Sequence, residues 1–193
     1  MKYWKLGIAF LLLTFTATAQ SEFIQFNKER INITRNGMMV LGSWGAVNTI
    51  TGAIGWATSK GEAKYFHQMN FIWGATNTAI AASSFIGIRK RPTDLSASKT
   101  LQAQSAIEKT FLINAGLDLV YISAGIFCKE KAKNVSDAER YKGYGNSLLL
   151  QGGGLLLFDA IMYITNTKHG KQLYKLLDKV QFSGSSVGVL LKF

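Results

Sequence analysis

The sequence predicts an all-α membrane protein, a bundle of four transmembrane helices that follows an N-terminal signal peptide. Four apolar segments carry this prediction, at about residues 37–58, 66–88, 110–128 and 143–165. The first two contain no Lys, Arg, Asp or Glu, and each of the others contains one charged residue, an aspartate. Runs of about 20 such residues are long enough for a helix to cross a hydrocarbon core of roughly 30 Å. A soluble bundle would carry charged side chains every few residues along its outer faces.

The charge of the chain fits the same interpretation. Of its 193 residues, 48% are hydrophobic and 17% are charged, and the net charge is +11. Lys and Arg lie almost wholly in the connections and termini, without the aromatic-interleaved basic stripe of a nucleic-acid-binding surface. We therefore predict a lipid bilayer, and no nucleic acid, as a partner. The single cysteine, Cys128, excludes an internal disulfide bond and leaves too few thiols for a zinc site, so no metal and no cofactor are predicted.

Residues 1–19 have the features of a secretory signal peptide. Lys2 and Lys5 precede an apolar run from Leu6 to Phe15, and small residues end the segment at Ala19. The apolar run is too short to span a bilayer comfortably, which favours cleavage after Ala19. The alternative is an uncleaved membrane anchor.

The first helical hairpin follows a short interfacial segment. Residues 20–36 mix apolar and basic side chains, as do helices that lie at a membrane surface. The first span is expected to connect to the second through a polar turn at 59–64. Pro92 cannot continue the second helix, and Thr93 or Asp94 is expected to cap the next one.

The second hairpin leads into a basic amphipathic helix. The third helix is expected to begin outside the bilayer and to enter it near Thr110, and a helical turn at 137–140 precedes the fourth span. The bundle as a whole covers residues 37–167. In the segment 170–181 apolar residues recur at helical spacing opposite basic ones, so this helix lies on the membrane surface or docks on the end of the bundle. Residues 182–193 are expected to form a loose tail.

A repeated motif places polar residues near the middle of the spans. The sequence WGAVNT that begins at Trp44 returns as WGATNT at Trp73. Together with two altered copies, it places one amide or acid in each span: Asn48, Asn77, Asp118 and Asp159. This is the plan of a doubled helical hairpin. The alternative is convergence, because small residues and amides recur wherever transmembrane helices pack closely.

Further polar residues share helix faces with these four. The candidate polar cluster comprises Asn48, Asn77, Asn114, Asp118, Tyr121, Gln151, Asp159 and Tyr163. The mid-span indoles of Trp44 and Trp73 are expected to pack toward the cluster, because an indole N–H in hydrocarbon needs an acceptor. His67 opens the second helix near the membrane interface, where we favour a hydrogen-bonding anchor over a metal or haem ligand.

The polar cluster is compatible with several functions. No Lys or Arg lies within the spans to neutralise the two acids. The cluster is therefore either a neutral hydrogen-bonded knot that fixes helix register or a site for protons or a small cation. A proton or cation site would suit a small transporter or a proton-coupled membrane component, and a membrane scaffold or partner subunit is a further alternative. Since no catalytic motif is present, we predict that the protein is not an enzyme and assign no catalytic residue.

Four runs of residues carry a resemblance to a known family: HQMN at 67–70, WGATN at 73–77, NAGLD at 114–118, and the segment from Gly143 to Asp159. They resemble an uncharacterised family of small four-span membrane proteins, a domain of unknown function associated mainly with Bacteroidetes-type bacteria. The likeness covers about residues 25–165. It implies a membrane location and four helices but no activity.

Two signals disagree about the orientation of the chain. A cleaved signal peptide places residue 20 outside and the connections 59–65 and 129–142 in the cytoplasm. Those connections hold seven Lys and Arg residues, whereas the opposite side holds thirteen, and the positive-inside rule favours the reverse orientation. We favour the signal peptide because it acts first in targeting. The expected location is the bacterial inner membrane, with several passes.

Overall fold

The computed structural model describes the backbone of residues 2–183 and the side chains of residues 20–178. Four helices make up nearly all of this backbone: α1 (Lys2–Thr58), α2 (Gly61–Arg89), α3 (Ala97–Lys131) and α4 (Ala138–Ser183). A single 3₁₀ turn at Ala132–Asn134 follows α3. The predicted all-α fold class is confirmed. The predicted tail lies outside the described residues from 184 onward, and cleavage after Ala19 stays a prediction.

The turn between α1 and α2 is tighter than the sequence predicts. α1 ends at Thr58 and α2 already begins at Gly61, so most of the polar segment 59–64 is helical. Gly61 has a φ of 58°, which lies in the left-handed region that glycine adopts without steric strain. Gly61 therefore allows the chain to reverse within about two residues, whereas the polar residues 59–64 predict a turn of six residues.

The link from α2 to α3 also departs from the expectation in one detail. α2 ends at Arg89, shortly before Pro92, as the missing backbone N–H of proline requires. The N-cap of α3 is Ser96, whose hydroxyl accepts a hydrogen bond from the Lys99 N–H at 3.4 Å. The expectation that Thr93 or Asp94 would cap this helix is wrong, because the helix begins a few residues later.

α1 and α4 are longer than predicted. The sequence predicts that the polar segments 20–36 and 170–181 are separate from the neighbouring apolar spans, but each forms one continuous helix with its span. Residues 20–36 continue directly into the first apolar segment, and α4 passes through Gly170 into residues 170–181. Both segments pack beside the first turns of α3, where Leu173 is fully buried in an apolar cluster with Phe23 and Phe26. A Cβ atom at Gly170 would lie 2.4 Å from a Glu108 carboxylate oxygen, so glycine lets α4 approach α3. The segment 170–181 therefore docks on the end of the bundle, and residues 20–36 are part of the same end.

The two hairpins pack on each other mainly through α4, the second helix of the second pair, with a few further contacts between α1 and α3 near Asn27 and Thr100. α1 packs along α2 and α3 packs along α4, while α4 also contacts α2 and α1. No Cα atom of α2 lies within 8 Å of a Cα atom of α3. The bundle thus has a gap between α2 and α3.

The bundle is polar inside and apolar outside. Among residues 20–178, fourteen buried side chains are polar or charged, against eleven apolar ones. The exterior carries large apolar side chains that are more than half exposed, including Val40, Ile50, Phe127 and Leu157. α2, α3 and α4 are each long and apolar enough to cross a membrane.

Candidate functional site

The gap between α2 and α3 holds a cavity of about 330 Å³. All four helices line it, and its polar lining consists of Thr34, Asn77, Ser84, Arg91, Thr110, Asn114, Asp118, Tyr121 and Asp159. Ile80 of α2 and Leu117 of α3 also line the cavity, and both are about half exposed. The cavity therefore opens sideways between these two helices.

Two acids meet in the wall of this cavity. Asp118 and Asp159 are 3% and 4% exposed, and their carboxyl groups lie close to each other. Asn114 lines the same cavity, with its side-chain amide near Asp159. The small residue Gly152 makes this approach feasible, because a Cβ atom there would lie 3.1 Å from the Asp118 carbonyl oxygen. α3 and α4 thus come close where their acids face each other.

Apart from the contact between the two acids, three polar atoms beside the cavity have no hydrogen-bond partner among the described residues. They are Asp118 Oδ2, Asp159 Oδ1 and Asn77 Nδ2, and all three are buried. Buried polar groups in proteins are nearly always hydrogen-bonded, so each exception needs an explanation. Two acceptors and one donor in the wall of one cavity fit a site for a small polar ligand or ion.

The two ends of the cavity differ in character. At one end the rings of Trp73 and Tyr121 meet edge to face, with their centroids 4.7 Å apart. This contact bridges the gap between the α2 and α3 backbones. At the other end the cavity reaches Arg91, in the connection between these helices. The acids therefore lie between the Trp73 and Tyr121 rings, which we call the aromatic closure, and the end beside Arg91, which we call the basic opening.

Asn48 and Gln151 do not belong to this cavity. Gln151 is fully buried and donates to Asn48 Oδ1 and Asn70 Oδ1 at 2.8 and 2.9 Å. Its Oε1 accepts a hydrogen bond of 3.0 Å from the Trp44 indole, and Ser147 donates to Asn70 at 2.6 Å. These residues form a closed network, which we call the Gln151 network, that joins α1, α2 and α4.

The remaining predicted residues lie elsewhere. Tyr163 is half-buried and packs against the apolar cluster around Met38 and Met162. His67 lies near the turn end of α2, where a Cβ atom at Gly55 would be 2.2 Å from its ring. The indole of Trp44 meets an amide, as expected, whereas Trp73 makes its ring contact with Tyr121.

The sequence reasoning missed a second buried polar cluster, at the extended end of the bundle. It comprises Asn27, Arg30, Thr34, Thr100, Gln104, Asn166 and His169. Asn27 donates to Thr100 at 2.9 Å, and Gln104 donates to the Asn166 carbonyl at 2.8 Å. These residues are three or four positions apart along each helix, so they share one helix face. This spacing could have identified the cluster from the sequence.

The fold and the cavity define a class of protein, an all-α bundle in which three helices are long and apolar enough to cross a membrane and whose interior holds an acid-lined cavity. The chain belongs to a family of unknown function, DUF6992, whose match covers residues 40–160. That range includes the acid pair, its aromatic closure and the Gln151 network. No match to the chain was found among curated proteins or among solved structures.

Proposed function

We propose that the chain is a multi-pass protein of the bacterial inner membrane in which all four helices cross the bilayer. α2, α3 and α4 have the necessary length and hydropathy. In α1, Val47, Ile50 and Ile54 are each about 60% exposed, which gives the segment 37–58 the same apolar exterior. Buried amides and acids beneath an apolar surface suit hydrocarbon surroundings, in which every polar group must find its partner inside the protein.

We further propose that Asp118 and Asp159 bind a proton and that the protein is a proton-coupled membrane component. Two negative charges in direct contact within an apolar environment repel strongly, whereas one shared proton turns the contact into a hydrogen bond. No Lys or Arg within the spans offsets these charges. The contact between the two buried carboxyl groups is the single observation that carries this proposal.

The cavity supplies a route for proton exchange. The titratable groups that line it are the two acids, Tyr121 and Arg91. Protons would enter from the Arg91 end, because the Trp73 and Tyr121 rings close the other. Separation of these rings would expose the pair to the opposite side, which is the alternation that a small proton-coupled transporter needs.

Infrared spectroscopy of the purified protein in lipid nanodiscs tests the shared proton. The wild-type spectrum should contain the C=O band of a protonated, hydrogen-bonded carboxyl group. Asp118→Asn or Asp159→Asn should shift this band, because the remaining buried acid loses its carboxyl partner, and the double variant should remove it. Asp137→Asn is the matched control, because Asp137 is exposed and pairs only with Arg140 at 3.7 Å among the described residues. A band that is unchanged in both single variants, or that survives in the double variant, contradicts the proposal.

A second measurement separates proton binding from a structural role. Asparagine retains the shape and hydrogen-bonding capacity of aspartate, so Asp118→Asn should fold and should resist unfolding about as well as the wild type. In vesicles with an imposed pH gradient, however, it should abolish any proton flux that the wild type carries. Equal flux in both proteins would assign the pair to helix packing alone.

A further inference from the structure

A second pocket, of about 530 Å³, adjoins the acid cavity at its basic opening. Arg91, Ile107 and Thr110 line both spaces. The additional cations of this pocket are Arg30 from α1 and Lys99 from the first turn of α3. Three basic side chains from three different parts of the chain therefore surround one space.

Arg30 is an unusual residue in this pocket. Its side chain is 4% exposed, and one terminal nitrogen donates to Asn27 Oδ1 at 2.9 Å. The Nε atom is buried without a partner among the described residues. Burial, and then the positive charge of Arg91, lowers the pKa of Arg30. A buried cation beside a second cation is costly unless a negative charge compensates both.

The described part of the chain does not supply that negative charge. Its ion pairs join Lys133 to Glu130, Arg140 to Asp137 and His169 to Glu29, and none includes Arg30 or Arg91. Among the described residues, no Asp or Glu lines this pocket, and the nearby carboxylates contact neutral amides outside it. Glu108 accepts a hydrogen bond from Gln104, and Asp94 accepts one from Gln20. The pocket is thus built for an anion that comes from outside the chain.

We propose that Arg30, Arg91 and Lys99 bind a phosphate group. Guanidinium groups offer planar pairs of N–H donors that match phosphate oxygens, and Lys99 adds a third charge. The pocket also lies at a suitable depth. The apolar segment of α2 ends at Ile88, and that of α3 begins at about Thr110, so the pocket lies at the boundary of the apolar belt.

The phosphate group has two sources, a phospholipid headgroup or free phosphate. A headgroup would place its acyl chains in the sideways opening between α2 and α3, beside Ile80 and Leu117. Free phosphate would reach the pocket from the aqueous side. The binding chemistry at the three cations is the same for both, and the experiment distinguishes them.

Native mass spectrometry of the delipidated, detergent-solubilised protein tests the proposal. The protein is titrated separately with phosphatidylglycerol, with phosphatidylcholine and with inorganic phosphate. We expect Arg91→Gln to weaken binding of phosphatidylglycerol or of phosphate about tenfold, which corresponds to about 1.4 kcal/mol. Arg89→Gln is the matched control, because Arg89 is also exposed and close by but does not line the pocket. Since Arg91 is exposed, neither substitution should impair folding.

Each outcome decides the question. Loss of phosphatidylglycerol binding in Arg91→Gln alone supports a lipid phosphate, and loss of inorganic phosphate binding supports a free one. Equal effects of Arg89→Gln and Arg91→Gln, or no binding by the wild type, overturn the proposal. Arg30→Lys keeps the charge but loses the fork of donors, and it should also weaken binding. Asp118→Asn should bind the phosphate group as the wild type does. The phosphate test therefore stays valid even if the proposal of a proton site at Asp118 and Asp159 is wrong.

Discussion

Gln151 and Asp118 belong to one predicted polar cluster, yet the structure gives them different surroundings. Gln151 uses both ends of its amide, accepting from Trp44 and donating to Asn48 and Asn70. Asp118 meets Asp159 in a cavity wall, and apart from that contact its Oδ2 atom has no hydrogen-bond partner among the described residues. The structural knot that the sequence left open as one alternative therefore describes the surroundings of Gln151, whereas the proposed proton site concerns Asp118 and Asp159.

We expect Gln151→Ala to destabilise the protein while leaving the acid pair in place. It removes three hydrogen bonds between helices, each worth about 0.6 kcal/mol in membrane proteins, so the free energy of unfolding should fall by about 2 kcal/mol. Reversible unfolding in mixed detergent micelles measures this change. Gln172→Ala, on the exposed face of α4, should have little effect, and an equal loss in both variants would count against the Gln151 network as a stabilising element.

At the scale of helices, the repeated motif is the contact surface of the first hairpin. Each copy has a glycine four residues before a threonine, and each glycine packs against the threonine of the other copy. A Cβ atom at Gly45 would lie 2.7 Å from the Thr78 nitrogen, and one at Gly74 would lie 2.4 Å from the Thr49 nitrogen. Because the helices are antiparallel, the same sequence serves both sides of one contact. This reciprocal packing brings the α1 and α2 backbones together.

We expect Gly74→Val to force α1 and α2 apart. Overpacking of this kind typically lowers the free energy of unfolding by about 1–3 kcal/mol. At Gly74 the loss should be about 3 kcal/mol or more, because the atoms that a valine side chain would meet include backbone atoms, which cannot rotate away. Gly153→Val makes the same change at a glycine of α4 whose Cβ position has no atom within 4 Å. The micelle unfolding assay should show a large loss for the first and little for the second, and similar losses would contradict the role of Gly74 in the helix contact.

At the scale of the whole molecule, both candidate sites lie toward the same end of the bundle. The phosphate pocket, the buried polar cluster of Asn27 to His169 and the opening of the acid cavity are at the end where α2 connects to α3. Cys128 lies near the opposite end, close to the C-terminus of α3, and its thiol is free. The side of the membrane that Cys128 faces therefore decides which compartment reaches both sites.

Labelling with a membrane-impermeant maleimide should leave Cys128 unreacted in intact cells and modify it after permeabilisation. This result follows from the predicted signal peptide, which places the phosphate pocket outside the cytoplasm. Ser98→Cys in a Cys128→Ser background is the complementary probe, because Ser98 is exposed at the pocket end, and it should react without permeabilisation. The reverse pattern would place the phosphate pocket in the cytoplasm, as the positive-inside rule favours.

Much of the fold was predictable because it depends on local properties. Uncharged runs of about 20 residues gave the helices, and Pro92 gave the end of α2. The sequence predicts a surface helix for the polar end of α1 and leaves the polar end of α4 either on the membrane surface or docked on the bundle, because their apolar faces are equally suited to lipid and to α3. Only the position of Leu173 against Phe23 and Phe26 distinguishes these cases.

The sequence by itself determined the positions of the four apolar segments, the faces that carry small residues, and the presence of two acids without a cation in their spans. These properties follow from composition and helical period, which need no knowledge of neighbours. Only the tertiary structure decided that Asp118 meets Asp159, that Asn48 and Asn77 of one motif serve different sites, and that Arg30 faces Arg91. Such pairings depend on the rotation and spacing of packed helices, and the same polar residues would pair differently in another arrangement of the same four helices.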